Sequence, residues 1–388
     1  MERLNDITYA ILTSYGQYGI TLAAIILLLF IIQAVYHLGL YNRIAGFRLG
    51  NLTKRSDTTP AVSVVVPIFT EDVTYLDNGF TKLLAQECDN YEVVAVYIGN
   101  DDGFYADLCR LKSLYPHLSP IRINCTPYYP VTVKTALNVG IKSARNEHVL
   151  ITSIDATPAS KRWVALMAKG FQYGDVVLGY CGIDEQPGFK NFIFREFRFS
   201  NSVAWLSAAI RRKTYCASRH NMGFTKSLYL GVRGFNHLNM NVGEDDLFVQ
   251  RIASADNVSI VLSPRVACYE RTWGGWRWWL ERVHRYGATH RYYPLGAKAT
   301  VAFELLTRTA FFAAAATAIA TMPWEYATAV GVLVFLRYFM VMFTFIRTAR
   351  RLGETTLTTR HALYDVIEPL LRLFIILSQS DKQRDSWN

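Results

Sequence analysis

The sequence predicts an α/β fold, a doubly wound sheet flanked by hydrophobic segments long enough to cross a membrane. Three observations predict it. Ala61–Pro67 (AVSVVVP) is a continuous, largely β-branched run, as in a strand buried on both faces. After it, strand-like apolar runs alternate with helix-length stretches as far as Ile154, a pattern that makes a parallel, doubly wound sheet. The 388 residues are 51% hydrophobic and carry a formal net charge of +10. That pairing suits a membrane protein with a basic cytoplasmic face.

The elements follow in order. Gly19–Tyr36 (GITLAAIILLLFIIQAVY) holds no charge and is long enough to span, so residues 1–58 are read as a signal anchor, at about 19–40, and a linker. A basic start and a small-residue cleavage site are missing, which separates it from a cleaved signal peptide. Arg43, Arg48, Lys54 and Arg55 follow it, against Glu2, Arg3 and Asp6 before it. By the positive-inside rule the chain beyond the anchor is cytoplasmic. Residues 59–294 form a domain with later strands expected at Glu92–Ile98, Ile121–Asn124 and His148–Ile154. Helices are expected at Leu76–Gln86, Tyr105–Tyr115 and Val133–Ala144.

Residues 295–388 return to the membrane. A hairpin is expected with spans at about 305–322 and 327–346, Leu305–Arg308 at its cytoplasmic end and Pro323, Trp324 and Glu325 as its turn. Arg347, Arg350 and Arg351 after it put both open ends inside. Arg337 falls in mid-span, either a functional charge or one that is paired or snorkelling. The apolar run of His361–Ser378 is too short to span comfortably, and Asp365, Glu368 and Arg372 fall at helical spacing on one side. An interfacial helix is expected there.

Several classes are excluded. An arginine-rich arm, zinc-finger spacing and RNA-binding signatures are missing, so nucleic acid is not a partner. GxGxxG and GxxxxGK[ST] are missing, which removes a dinucleotide fold and a P-loop. The six cysteines form no CxxC pair and read as reduced packing thiols.

Candidate chemistry lies at the strand ends, where doubly wound sheets bind ligands. Thr70, Glu71 and Asp72 follow the first strand, Asp101 and Asp102 the second, and Asp155 the fourth. Asn100–Gly103 also has the composition of a turn, Asp155 that of a helix cap, and Lys134 that of a solvated helix start. Asn241–Arg251 (NVGEDDLFVQR) opens a helix with Glu244, Asp245 and Asp246. A helix N-terminus favours acids, but three adjacent carboxylates repel, and the alternative is a carboxylate held ready to take a proton. Trp273, Trp276, Trp278 and Trp279 crowd around Arg277, either on the inner leaflet or, for one or two of them, as a stacking platform.

Taken together and in order, VSVVVPIFTED (Val62–Asp72), NDDG (Asn100–Gly103), VKTALNVGIKSARNEHVLITSIDATP (Val133–Pro158), SRHNMGFTK (Ser218–Lys226), GEDDLFVQR and RVHRY (Arg282–Tyr286) resemble the family 2 glycosyltransferases. Those are inverting, membrane-associated enzymes with a GT-A fold. The resemblance implies a mixed GT-A sheet and a nucleotide-sugar donor, UDP- or GDP-linked, bound by Pro67, Phe69, Glu71, Asp101, Asp102, Lys134 and Asp155. Asp101 or Asp102 would contact the nucleobase. The D-x-D motif reads Asp155-Ala156-Thr157, which leaves Asp155 and Thr157 to hold Mg²⁺ or Mn²⁺. GEDDLF would supply the general base, Asp245 first and Asp246 second, with Glu244 positioning the loop or the acceptor. Q-x-x-R-W becomes Arg282-Val283-His284-Arg285-Tyr286, so Arg282, His284, Arg285 and Tyr286 belong on the diphosphate and acceptor side.

The implied function is transfer of one sugar to a hydroxyl of a lipid-linked or membrane-proximal acceptor at the cytoplasmic face of a bacterial inner membrane. A processive polysaccharide synthase of the same family is one alternative. A catalytically weak, nucleotide-binding scaffold is the other.

Overall fold

The computed structural model describes residues 2–125, 131–236, 242–358 and 360–378. Asn241, the first residue of the acidic motif, lies outside them. The strands are β1 (Val62–Ile68), β2 (Tyr91–Ile98), β3 (Leu118–Ile123), β4 (His148–Ile151), β5 (Ala156–Pro158), β6 (Val176–Gly179), β7 (Cys181–Ile183), β8 (Met222–Thr225), β9 (Val258–Val261) and β10 (Cys268–Glu270). They build a seven-stranded sheet in the order β3-β2-β1-β4-β8-β6-β9 and a small sheet in the order β5-β10-β7.

The large sheet is mixed, because β8 runs antiparallel to both β4 and β6. The strand expected at His148–Ile154 stops at Ile151; the chain then turns, and Ala156–Pro158 joins the small sheet. Two-residue alternation sends successive side chains to opposite faces. Val65, Val94 and Val96 therefore enter the hydrophobic core on one side, and Val64, Val66, Val93 and Ala95 the core on the other. Burial on both faces is why β1 reads as an unbroken apolar run.

The principal helices are α1 (Glu2–Ala34), α2 (Asp102–Leu114), α3 (Val133–Ser143), α4 (Trp163–Gly170), α5 (Phe189–Ile210), α6 (Asp246–Ile252), α7 (Trp276–His290), α8 (Leu295–Thr321), α9 (Trp324–Leu352) and α10 (His361–Ser378). Helix α3 lies very close to β1 and β2: a Cβ at Gly140 would stand 2.4 Å from Val65 Cγ1 and 3.0 Å from Val96 Cγ2. The helix expected at Leu76–Gln86 is instead Val73–Leu84, wound as a π-helix over Leu76–Phe80. Asn78 and Gly79, poor helix formers, fall in that stretch.

Among the described residues, three helices are long and apolar enough to cross a membrane: Tyr18–Gly46, Leu295–Thr321 and Trp324–Leu352. The hairpin helices extend beyond the expected spans, and Trp324 and Glu325 open the second helix rather than forming the turn. Ile26, Phe311, Ala315, Ala318 and Val330 pack the three together.

Three charged sites of the apolar helices take their partners from packing. Arg308 is buried in α8 rather than marking its end. Arg337 is paired, to Asp365 at 2.6 Å, with Gln33 Oε1 at 3.1 Å. The polar side of α10 does not face water: Asp365 and Glu368 are buried against Arg308 at 3.1 and 3.0 Å, and Arg372 binds Glu368 at 2.6 Å. It is the apolar side of α10, including Leu370, Phe374 and Leu377, that is exposed. Buried charges require partners, so the ionic side turns to the protein and leaves the greasy side out.

Candidate active site

The ends of β1, β4 and β10 surround a cleft of about 430 Å³ lined by Thr70, Glu71, Asp72, Asp155, Trp273 and Arg282. Its rim is built by local bonds. Tyr97, at the end of β2, donates its hydroxyl to Glu71 Oε1 at 2.6 Å and accepts the Asp101 amide at 3.0 Å, which ties the loops after β1 and β2 together. Asp101 caps α2, its Oδ1 accepting the amides of Gly103 and Phe104 at 2.7 and 3.1 Å. Asp102 pairs with Arg122 at 2.5 Å. Asp155 accepts the Trp273 indole at 3.1 Å, and Arg271 binds Asp72 at 3.3 Å.

A second, smaller pocket holds the acidic motif against Arg219, Arg282, Arg285, Tyr286 and Thr289. The chain enters it through Gly243 at φ +98°, a left-handed conformation that favours glycine. Glu244 binds Arg219 at 2.7 Å. Asp246 has both oxygens occupied: Oδ1 by the Leu247 amide at 2.7 Å, Oδ2 by the hydroxyls of Thr289 at 2.5 Å and Tyr293 at 2.6 Å. Asp245 caps α6, accepting the Asp246 amide at 2.9 Å on Oδ1, while its Oδ2 has only a long 3.3 Å bond from the Arg219 amide. Burial, reinforced by Asp246 and Glu244, pushes the Asp245 carboxyl up to about 8.

Arg282 lines both pockets. It binds Glu270 and stacks on Trp278, its guanidinium 4.9 Å from the ring centre. The fold thus assembles at one place Glu71 and Asp155 from strand ends, Glu244–Asp246 from α6, and Arg282, Arg285 and Tyr286 from α7.

Other expected site residues do not line either pocket. His284 reaches Ser378 on α10 at 3.1 Å. Thr157 lies in β5, paired in register with Tyr269, and Pro67 is buried in β1 opposite Val96. Phe69 is exposed beside the cleft rim. Lys134 is half-buried at the start of α3, where burial lowers its ammonium against the opposing pull of Glu244. That places it toward the acidic pocket. Of the tryptophans, Trp279 is core, stacked on Phe194 at 5.0 Å, while Arg277 is exposed; Trp273 alone of the four lines the cleft.

Arg219, Glu270, Thr289 and Tyr293 escaped sequence reasoning. Arg219 stands inside the SRHNMGFTK motif, the only one of the four with a signal in the chain. The others are single polar residues made meaningful by what packs beside them.

Among the described residues, groups of three or more His, Cys, Asp or Glu able to hold a metal ion are missing. Of the two residues expected to hold the ion, only Asp155 lines the cleft. It fits a hard cation only in the sparse mode in which one or two carboxylates and substrate phosphate oxygens share the coordination.

The fold is GT-A-like. A mannosyltransferase of Pyrobaculum calidifontis, solved with GDP-Man and Mn²⁺, matches with a TM-score of 0.51 at 20% identity, over 88% of this chain and 99% of that one. S. aureus TarS 1-349, solved with UDP-GlcNAc, matches with a TM-score of 0.40 at 15% identity, over 78% and 92%. No curated protein sequence matches. The family profile described as glycosyl transferase family 21 matches residues 21–377. This replaces the family 2 number that the motifs suggested and keeps the class of enzyme. The chain belongs to glycosyl transferase family 21.

Proposed function

We propose that this glycosyltransferase moves one sugar, with inversion, from a UDP- or GDP-linked donor to a hydroxyl of a lipid-linked or membrane-proximal acceptor. Residues 59–294 would be the catalytic unit on the cytoplasmic face, between membrane segments at 1–58 and 295–388. The observation that carries the reading is Arg282, which lines the Asp155 cleft on one side and the Asp245 pocket on the other. A donor diphosphate in the larger cleft would leave its anomeric carbon facing Asp245.

The reaction then balances in one displacement. The acceptor oxygen bonds to the anomeric carbon as the bond from that carbon to the phosphate oxygen breaks. The hydroxyl proton passes to Asp245, and the electron pair leaves with the diphosphate, where the Arg282 guanidinium meets the developing charge. A base on the side opposite the leaving group is what gives inversion. A divalent cation, if bound, would be held by Asp155 and would neutralise charge on the diphosphate.

Asp245 acts only when ionised. With its carboxyl raised to about 8, kcat/KM is expected to rise about tenfold per pH unit below that value and to level off above it. A profile flat from pH 6 to pH 9 would remove Asp245 from this role.

The reading is tested by incubating the detergent-solubilised full chain with a panel of UDP- and GDP-sugars, with and without Mn²⁺ or Mg²⁺, and following release of the nucleotide. Release from one donor is expected. If no donor is turned over under any condition, the reading fails.

A further inference from the structure

Glu270 ends β10, the central strand of the small sheet, and is 1% exposed. Its backbone is held on both sides, opposite Ala156 in β5 and Ile183 in β7. Next to it, the Arg271 amide donates to the Asp155 carbonyl at 2.7 Å, which joins this strand directly to the cleft acid. The Glu270 carboxylate is shared by two guanidiniums, Arg282 on Oε1 and Arg198 on Oε2, the latter at 2.7 Å. His220 lies behind it, Nε2 3.6 Å from Oε2, its Nδ1 held by the Ser153 hydroxyl at 2.7 Å.

Two cations on one carboxylate leave a positive balance. Both guanidiniums reach the surface, the side chains of Arg198 and Arg282 being 19% and 21% exposed while that of Glu270 is 1% exposed. Of the two, Arg282 lines the cleft, beside Glu71, Asp72 and Asp155, and a guanidinium there suits a diphosphate. Arginine carries large rotamer freedom, and a fixed carboxylate behind it removes that freedom before a ligand arrives.

We propose that Glu270 is a positioning residue for the transfer reaction: it does not touch substrate but holds Arg282 in the orientation that grips the departing nucleoside diphosphate. This rests on the glycosyltransferase reading above. Trp278, whose ring lies 4.9 Å from the Arg282 guanidinium, adds a second contact to it.

The test uses the full chain in detergent and four variants: Glu270→Gln, Glu270→Asp, Arg282→Ala and the Glu270→Gln/Arg282→Ala double. The readouts are kcat, the inhibition constant of the product, UDP or GDP, and the fraction folded. Glu270→Gln is expected to raise the product inhibition constant about tenfold, as loss of a charge-assisted contact would. Glu270→Asp should recover part of that loss. In the double variant the effects should not multiply, because both act through the same guanidinium. A merely structural role would lower the folded fraction and kcat while leaving the inhibition constant of the folded remainder unchanged.

The inference is overturned if Glu270→Gln binds product as tightly as the parent while Arg282→Ala does not, or if the two losses multiply. An unmodified chain that turns over no nucleotide sugar would instead sink the functional reading, and this inference with it.

Discussion

Asp245→Asn is expected to lower sugar transfer by about 10²–10⁴-fold, the usual worth of a general base, while donor affinity stays close to that of the parent. The substitution keeps the shape of the side chain, and an asparagine oxygen can still accept the Asp246 amide that Asp245 now caps at 2.9 Å. What it removes is the capacity to take a proton.

Asp246→Asn should behave differently. The three donors on Asp246 come from the Leu247 amide, Thr289 and Tyr293. An amide nitrogen in place of Oδ2 cannot accept from Thr289 or Tyr293, so both hydroxyls must turn round and lose their charge-assisted bonds, and that variant should lose stability. Thermal unfolding together with transfer and donor-binding assays separates the two cases. Full transfer by the Asp245→Asn protein would end the assignment.

Asp365→Leu should destabilise the membrane part by about 3–5 kcal/mol, the cost of stranding a buried charge. Arg337 would lose its carboxylate partner and keep the Gln33 oxygen at 3.1 Å and the Phe312 ring at 4.6 Å. Arg308 would lose one of three, since Glu304 and Glu368 lie at 3.3 and 3.0 Å. Replacing both members, Asp365→Leu with Arg337→Met, should recover much of the loss, because an apolar pair leaves no charge unpartnered. Unfolding in detergent micelles measures both. If the single variant unfolds with the parent, the network does not hold the spans to α10.

These expectations draw unequally on sequence and structure. The acidic motif was legible as a helix start, since a run of carboxylates next to Leu247 and Phe248 is unusual in any setting. The resemblance ranked Asp245 before Asp246, but the physical reason for that order was not legible. That follows from Thr289 and Tyr293, more than forty positions downstream, reaching Asp246 and leaving Asp245 less encumbered. The polar stripe of α10 was visible as a spacing, but a stripe turned to water and one turned to buried arginines have the same spacing. Glu270 had no local signal, because a three-residue strand is too short for periodicity to declare it.

By itself, the sequence determined the α/β class, the helices long and apolar enough to cross a membrane and the order of the candidate motifs. Each depends on periodicity or composition within one short segment, where the next residues along the chain supply the context. Tertiary structure alone decided the antiparallel insertion of β8, the inward face of α10, the departure of His284 and Thr157 from the site and the meeting of Arg282 with Glu270. Those depend on contacts between distant segments, and only packing selects which polar side chains share a buried space.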